Sequence, residues 1–151
     1  MPEFYTAVGR LGTAPTIPAT LLLIVAGATK GFLLKELDFG SHNAAALAGA
    51  EISIGRPTTS GTGGAAITPQ PLNSNDPASI ATALSASTVW SAEPTQPGTY
   101  LYRFALDVLQ NGIWIPPKEI YVPVSTRLAV RVETDNSATK VQWAVTATIQ
   151  E

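Results

Sequence analysis

The chain of 151 residues has no cysteine, one histidine and one methionine. Without cysteine there is no disulfide framework, no thiolate zinc site and no thiol nucleophile. Charge is scarce too: 9 basic and 11 acidic residues are 13% of the chain, and the net charge is −2. That is about half the charged share usual in a soluble domain. Nucleic-acid binding needs a clustered positive surface, so no nucleic-acid partner is expected.

Long apolar runs are also missing. The most hydrophobic stretch, Leu21-Leu22-Leu23-Ile24-Val25-Ala26, sits between Thr20 and Gly27. It falls far short of the roughly 20 residues that span a bilayer, so no membrane partner is expected either. As the core of a signal peptide it would be followed by a small-residue cleavage site at Ala26-Gly27-Ala28. The preceding segment argues against that, with Glu3, a single Arg10, and breaks at Pro15 and Pro18. A buried strand is the better reading. No Asn-x-Ser/Thr sequon occurs.

What the chain has in quantity is punctuation and apolar bulk: 12 Gly, 12 Pro and 45% hydrophobic residues. That apolar share excludes a disordered tail, and the scattered Pro and Gly exclude a helical bundle. A surface of Ala, Thr, Ser and Gly suits packing against other subunits better than free diffusion.

Strand signals dominate the sequence. Residues 5–11 are a weakly patterned first strand, and residues 1–18 read as a possible N-terminal arm. Residues 20–26 are continuously apolar, as expected of a strand covered on both faces. In residues 32–39, Leu33, Leu37 and Phe39 alternate with Phe32, Leu34, Glu36 and Asp38. Residues 44–50 read as one helical turn or a small-residue connection. Ile52 and Ile54 alternate with Glu51, Ser53 and Gly55 up to Pro57. Residues 58–66 read as a flexible Gly/Ser/Thr loop. Asp76-Pro77 has the chemistry of a helix start and predicts a short helix over residues 77–84. A short strand is expected at residues 88–92.

Tyr100, Tyr102, Phe104 and Leu106 alternate with Leu101, Arg103, Ala105 and Asp107. Asn111-Gly112, between Val108-Leu109 and Ile113-Trp114-Ile115, is the strongest hairpin signal and fits a type I′ turn. Pro116-Pro117 ends that strand or places it on an edge. Ile120-Tyr121-Val122 resumes briefly. Leu128, Val130 and Val132 mark the next strand. After a turn at Asp135-Asn136-Ser137, Val141, Trp143, Val145, Ala147 and Ile149 mark the last.

Seven to nine strands with little helix and no repeat predict an all-β chain. The expected fold is one antiparallel β-sandwich over residues 1–151, jelly-roll-like, with at most one or two short helices. The immunoglobulin alternative lacks its Cys–Trp–Cys signature.

Chemistry is thin. His42 is the only base for a serine triad, and Ser41, adjacent in sequence, would not normally face it. A solvated loop histidine is the plainer reading. Asn73, Asn75 and Asp76 offer oxygen ligands in one loop, but at spacings unlike an EF-hand. Gly61-Thr62-Gly63-Gly64 lacks the Lys and Ser/Thr of a phosphate loop. Asp107, Glu119 and Glu133 could furnish a glycosidase pair only if the fold gathered two of them at one groove. Trp90, Trp114 and Trp143 could line a sugar platform, although core or interface packing suits them better. The expectation is a non-enzymatic protein with no catalytic, cofactor or metal residues and no cofactor.

The segment Ile67-Thr68-Pro69-Gln70-Pro71-Leu72-Asn73-Ser74-Asn75-Asp76-Pro77-Ala78 resembles the linker-and-cap block of small structural proteins of tailed bacteriophages. The later order is similar as well. Pro97-Gly98 precedes an aromatic strand, and Asn111-Gly112-Ile113-Trp114-Ile115-Pro116-Pro117-Lys118-Glu119 follows. Then come Leu128-Ala129-Val130-Arg131-Val132 and a final strand ending at Glu151. Residues 21–26, 33–37 and 52–56 fit the same outline, whereas the first 20 residues lie outside the resemblance.

The resemblance implies a β-sandwich in the virion, of the capsid decoration (cement) type. Such a protein sits on the outer surface of the shell as a homotrimer, with the major capsid protein as partner. The Ala/Thr-rich outward strand positions and the Pro-containing N-terminal segment are the surfaces expected to be buried. The alternatives are a tail, connector or fibre-base protein of the virion, a carbohydrate-binding module using Trp90 or Trp114, and, weakest, a hydrolase.

Overall fold

A computed structural model describes residues 2–11, 16–42, 48–87, 90–107, 111–136 and 142–151. These residues form twelve strands and no helix. The strands are β1 (Phe4–Arg10), β2 (Ala19–Val25), β3 (Phe32–His42), β4 (Gly49–Gly55), β5 (Ala65–Ile67), β6 (Gln70–Pro71), β7 (Thr82–Ser85), β8 (Tyr100–Asp107), β9 (Gly112–Trp114), β10 (Ile120–Val122), β11 (Arg127–Asp135) and β12 (Gln142–Gln150).

Two antiparallel sheets result. Sheet A runs β10-β3-β12-β1-β6, with β9 also on β3, and sheet B runs β5-β7-β2-β11-β4-β8. The pairings nest: β1 with β12, β2 with β11, β3 with β9 and β10, β4 with β8. The chain is therefore one long doubled ribbon whose successive strand pairs fall alternately into sheets A and B. That wrapping defines a jelly roll. The fold is the all-β antiparallel sandwich that strand spacing predicts. The strand count exceeds seven to nine because short strands β5, β6 and β7 are inserted between β4 and β8 at the tip of the ribbon.

The core lies between the sheets. Tyr5, Ala7, Trp143, Val145, Ala147 and Ile149 of sheet A face Leu22, Ile24, Ile52, Ile54, Val130 and Val132 of sheet B, all buried. The sheets approach closely at Gly9, where a Cβ would lie 2.5 Å from the Leu22 Cβ. Ser85 ties them there by accepting the Arg10 N–H at 2.9 Å. One lateral side is closed by rings: Trp114 of β9 stacks on Phe104 of β8 at 5.2 Å, and Tyr102 meets Trp114 edge-on.

Several expectations are corrected. Residues 5–11 are not part of a loose arm, because β1 lies inside sheet A between β12 and β6. In β3 the buried set is Phe32, Leu34, Leu37 and Phe39, not one strict alternation. The register skips Lys35 between Glu36 and Leu34, a bulge that swaps faces midway along the strand.

The helix expected over residues 77–84 is absent. The Ile80 and Ala81 N–H groups donate to the Glu151 carboxylate, at 3.1 and 2.9 Å. With those donors held from outside, residues 82–85 pair with β2 instead. Of the hairpin expected at Asn111-Gly112, the second arm, Gly112–Trp114, pairs with β3 in sheet A, whereas β8 belongs to sheet B. The first arm, 108–110, lies outside the described residues. So do most of the connection at 44–50, residues 88–89 and most of the turn after Asp135. Of the strand expected at 88–92, only a single bridge from Ala92 to Thr62 is seen.

Candidate functional site

The two sheets treat their outward faces differently. On sheet B, register places Thr20, Leu23, Ala129 and Arg131 on the outer side. Yet Thr20 and Leu23 are 0% exposed and Ala129 is 1% exposed. Their cover is a ribbon from the β4–β8 insertion. Thr62 pairs with Ala92, and the Thr58 N–H donates to the Thr95 carbonyl at 2.9 Å.

Three contacts fasten the ribbon. The Trp90 indole N–H donates to the Thr20 carbonyl at 2.9 Å, and the Thr20 N–H donates to the Glu93 carboxylate at 3.0 Å. At the other end, the Arg127 guanidinium donates to the Ser60 hydroxyl at 2.7 Å. Gly64 is where Trp90 seats, because a Cβ there would lie 2.6 Å from the indole ring. The loop expected to be a flexible linker is therefore a packed cover. Next to it, the rest of the outer face is a charge network. Ser53 and Arg131 meet Glu133, and Arg103 pairs with Glu51 at 2.7 Å.

Sheet A has no such cover among the described residues. Its outward rows are Thr6–Thr148–Glu36, Val8–Thr146–Asp38–Ile113 and Arg10–Ala144–Gly40. These rows are mainly uncharged. Val8 is 49% exposed and Ile113 67%. Ile115 and Tyr121, at 65% and 52%, extend the apolar character along the β9–β10 edge. Ile113, Ile115 and Tyr121 lie together along that edge, whereas Val8 stands apart on β1, across Thr146 and Asp38.

The residues singled out for chemistry are dispersed. His42 is an exposed residue at the end of β3, opposite Gln142. Asn73 closes a turn, its side chain accepting the Asn75 N–H at 3.1 Å and its carbonyl the Asp76 N–H at 3.0 Å. Glu119 pairs with Lys35 at the edge of sheet A, whereas Glu133 lies on the outer face of sheet B and Asp107 ends β8. The three carboxylates share no groove. Trp90 and Trp143 are buried, and Trp114 is stacked on Phe104. No group of three His, Cys, Asp or Glu able to hold a metal occurs among the described residues. No helix among them is long and apolar enough to cross a membrane. An open depression of about 430 Å³ over β4 and β8 is lined by Glu51, Arg103, Phe104 and Thr134.

The face that sequence reasoning only outlined is that of sheet A. Its Ala/Thr-rich outward positions were visible, but Ile113 and Ile115 drew attention only as flanks of a turn. What the fold defines is a jelly-roll β-sandwich with one sheet partly covered by the chain itself and the other uncovered among the described residues. No family model, curated protein or solved structure matches the chain.

Proposed function

We propose that the protein is a non-enzymatic virion protein of a tailed bacteriophage, a capsid decoration (cement) protein. In this reading it binds the major capsid protein on the outer surface of the shell and stabilises it. The observation that carries the reading is the open outer face of sheet A, where Val8, Ile113, Ile115 and Tyr121 are all at least half-exposed or nearly so. Scarce charge and the resemblance of several blocks of the chain beyond residue 20 to small phage structural proteins support the same reading.

The mechanism is bridging. A rigid sandwich laid across neighbouring coat subunits adds buried surface where the subunits meet. A standard interface buries about 1,600 Å² in total, so contacts of that size repeated over a shell offset internal pressure. The decisive experiment adds the purified protein to shells lacking it. Saturable binding with raised heat resistance is expected, and binding weakens when Ile113 and Val8 become Ser. Shells that neither bind it nor gain resistance overturn the proposal.

A further inference from the structure

The sheet edges are not equally protected. The β9–β10 edge is interrupted by Pro116-Pro117, β6 is two residues long and contains Pro71, and β5 has three residues. The remaining edge is β8, eight residues without Pro, whose one strand partner among the described residues is β4; its bulge, at Leu101, lies before the segment 103–107. A long edge strand not cut short or broken by Pro is a template for pairing with another strand, provided that its charges are matched.

Its own sequence supplies the partner. Arg103-Phe104-Ala105-Leu106-Asp107 is self-complementary about Ala105, with opposite charges two residues to either side and apolar residues between. Two antiparallel β8 strands related by a twofold axis at Ala105 place each Arg103 opposite Asp107 of the other copy. Phe104 then faces Leu106, and small Ala105 meets itself at the axis. All opposed side chains share a face, as antiparallel pairing requires. A register centred on Arg103 sets two guanidiniums together, and one centred on Phe104 leaves Arg103 opposite Ala105.

We infer that the protein forms a twofold dimer through β8, joining the two copies' B sheets into one and leaving both A faces open. An isologous contact closes at two, so the trimer implied by the phage resemblance cannot be built from it. This pairing does not depend on the virion reading: solution mass tests the first and shell binding the second.

Light scattering of the full chain over a dilution series should give twice 15.8 kDa. Arg103→Asp and Asp107→Arg each replace two attractive cross-strand pairs with two repulsive ones. Each should weaken the dimer about tenfold or more, and the double swap should restore it. Glu51→Gln, which removes the partner of Arg103 within the chain, should leave the dimer intact. Ala105 is exposed, so Ala105→Glu folds and places two carboxylates at the axis, giving a monomer. A wild-type monomer at every concentration, a trimer, or a dimer indifferent to Ala105→Glu and to the swaps overturns the inference.

Discussion

Sheets A and B take alternate strand pairs of one ribbon, yet among the described residues only B has part of its outer face, over β2 and β11, covered. The reason lies in the insertion at the ribbon tip. Within it, residues 58–64 and 90–95 pair as a ribbon on the outer side of sheet B, and contacts of Trp90 and Glu93 with Thr20 and of Arg127 with Ser60 hold it there. Sheet A receives only β6 at one edge and the split β9–β10 strand at the other. A jelly roll has two outward faces, and the one long insertion covers part of one of them, so the other stays open among the described residues; the proposed docking to coat subunits uses that open face. If that is right, substitutions on the two faces must have opposite signatures: loss of stability on B, loss of binding on A.

The largest effect is expected from Trp90→Ala. It deletes a buried indole and its hydrogen bond to the Thr20 carbonyl, and loosens the ribbon on the outer side of β2. Large-to-small changes at buried aromatics cost about 3–5 kcal/mol, so the urea midpoint should fall steeply. A loss below about 1 kcal/mol would mean that the ribbon is not what buries β2. Glu93→Gln is the milder version. The Thr20 N–H loses a charged acceptor but keeps a neutral one, and hydrogen bonds to charged groups are worth about 1.5–3 kcal/mol against about 1 for neutral ones. A loss of roughly 1 kcal/mol in chemical denaturation is the expected result.

The cover was the least legible part of the sequence. Gly, Ser and Thr in residues 58–64 have the composition of a linker, and nothing local says that Trp90 needs Gly64 beneath it. The continuous run at 20–26 did predict burial on both faces, but not by what. The jelly roll itself was legible because alternation in β4, β8, β11 and β12 survives almost intact. Failures came where a distant group or an extra residue intervened. Glu151 captures the N–H groups of Ile80 and Ala81 and removes a helix that Asp76-Pro77 favours locally. A bulge at Lys35 reverses a pattern whose two halves each look regular.

The inner side of sheet A offers a pH-dependent contrast. The Tyr5 hydroxyl, at 3.1 Å from both the Glu3 carboxylate and the Pro77 carbonyl, has its pKa pushed up to about 12. Burial is the main cause, followed by its hydrogen bond to Glu3 and the charges of Glu3, Glu151 and Asp76. An unfolded chain ionises near the ordinary value of 10, so between about pH 10 and 12 the unfolded state binds fewer protons than the folded one. Stability from this group is complete below pH 10 and is lost as pH rises through that window. Tyr5→Phe should be somewhat less stable at neutral pH and should show a flatter decline from pH 10 to 12. An unchanged alkaline slope would assign the loss to other groups.

The smallest stability effect belongs to the open face, where it is the most informative. Ile113 and Val8 lie on the row that crosses β9, β3, β12 and β1, and both are about half-exposed or more. Replacing both by Ser removes apolar surface that already faces water, so unfolding free energy should stay within about 0.5 kcal/mol of the parent for each change. Apolar area removed from a contact costs about 25 cal/mol per Å², so the same variant should lose affinity for any partner that covers the face. Equilibrium unfolding and shell binding, measured on one preparation, separate the two quantities. A variant that unfolds more easily but binds equally well would make this row part of the fold rather than a docking surface. The contrast between the two sheets would then reduce to which face the insertion happens to cover.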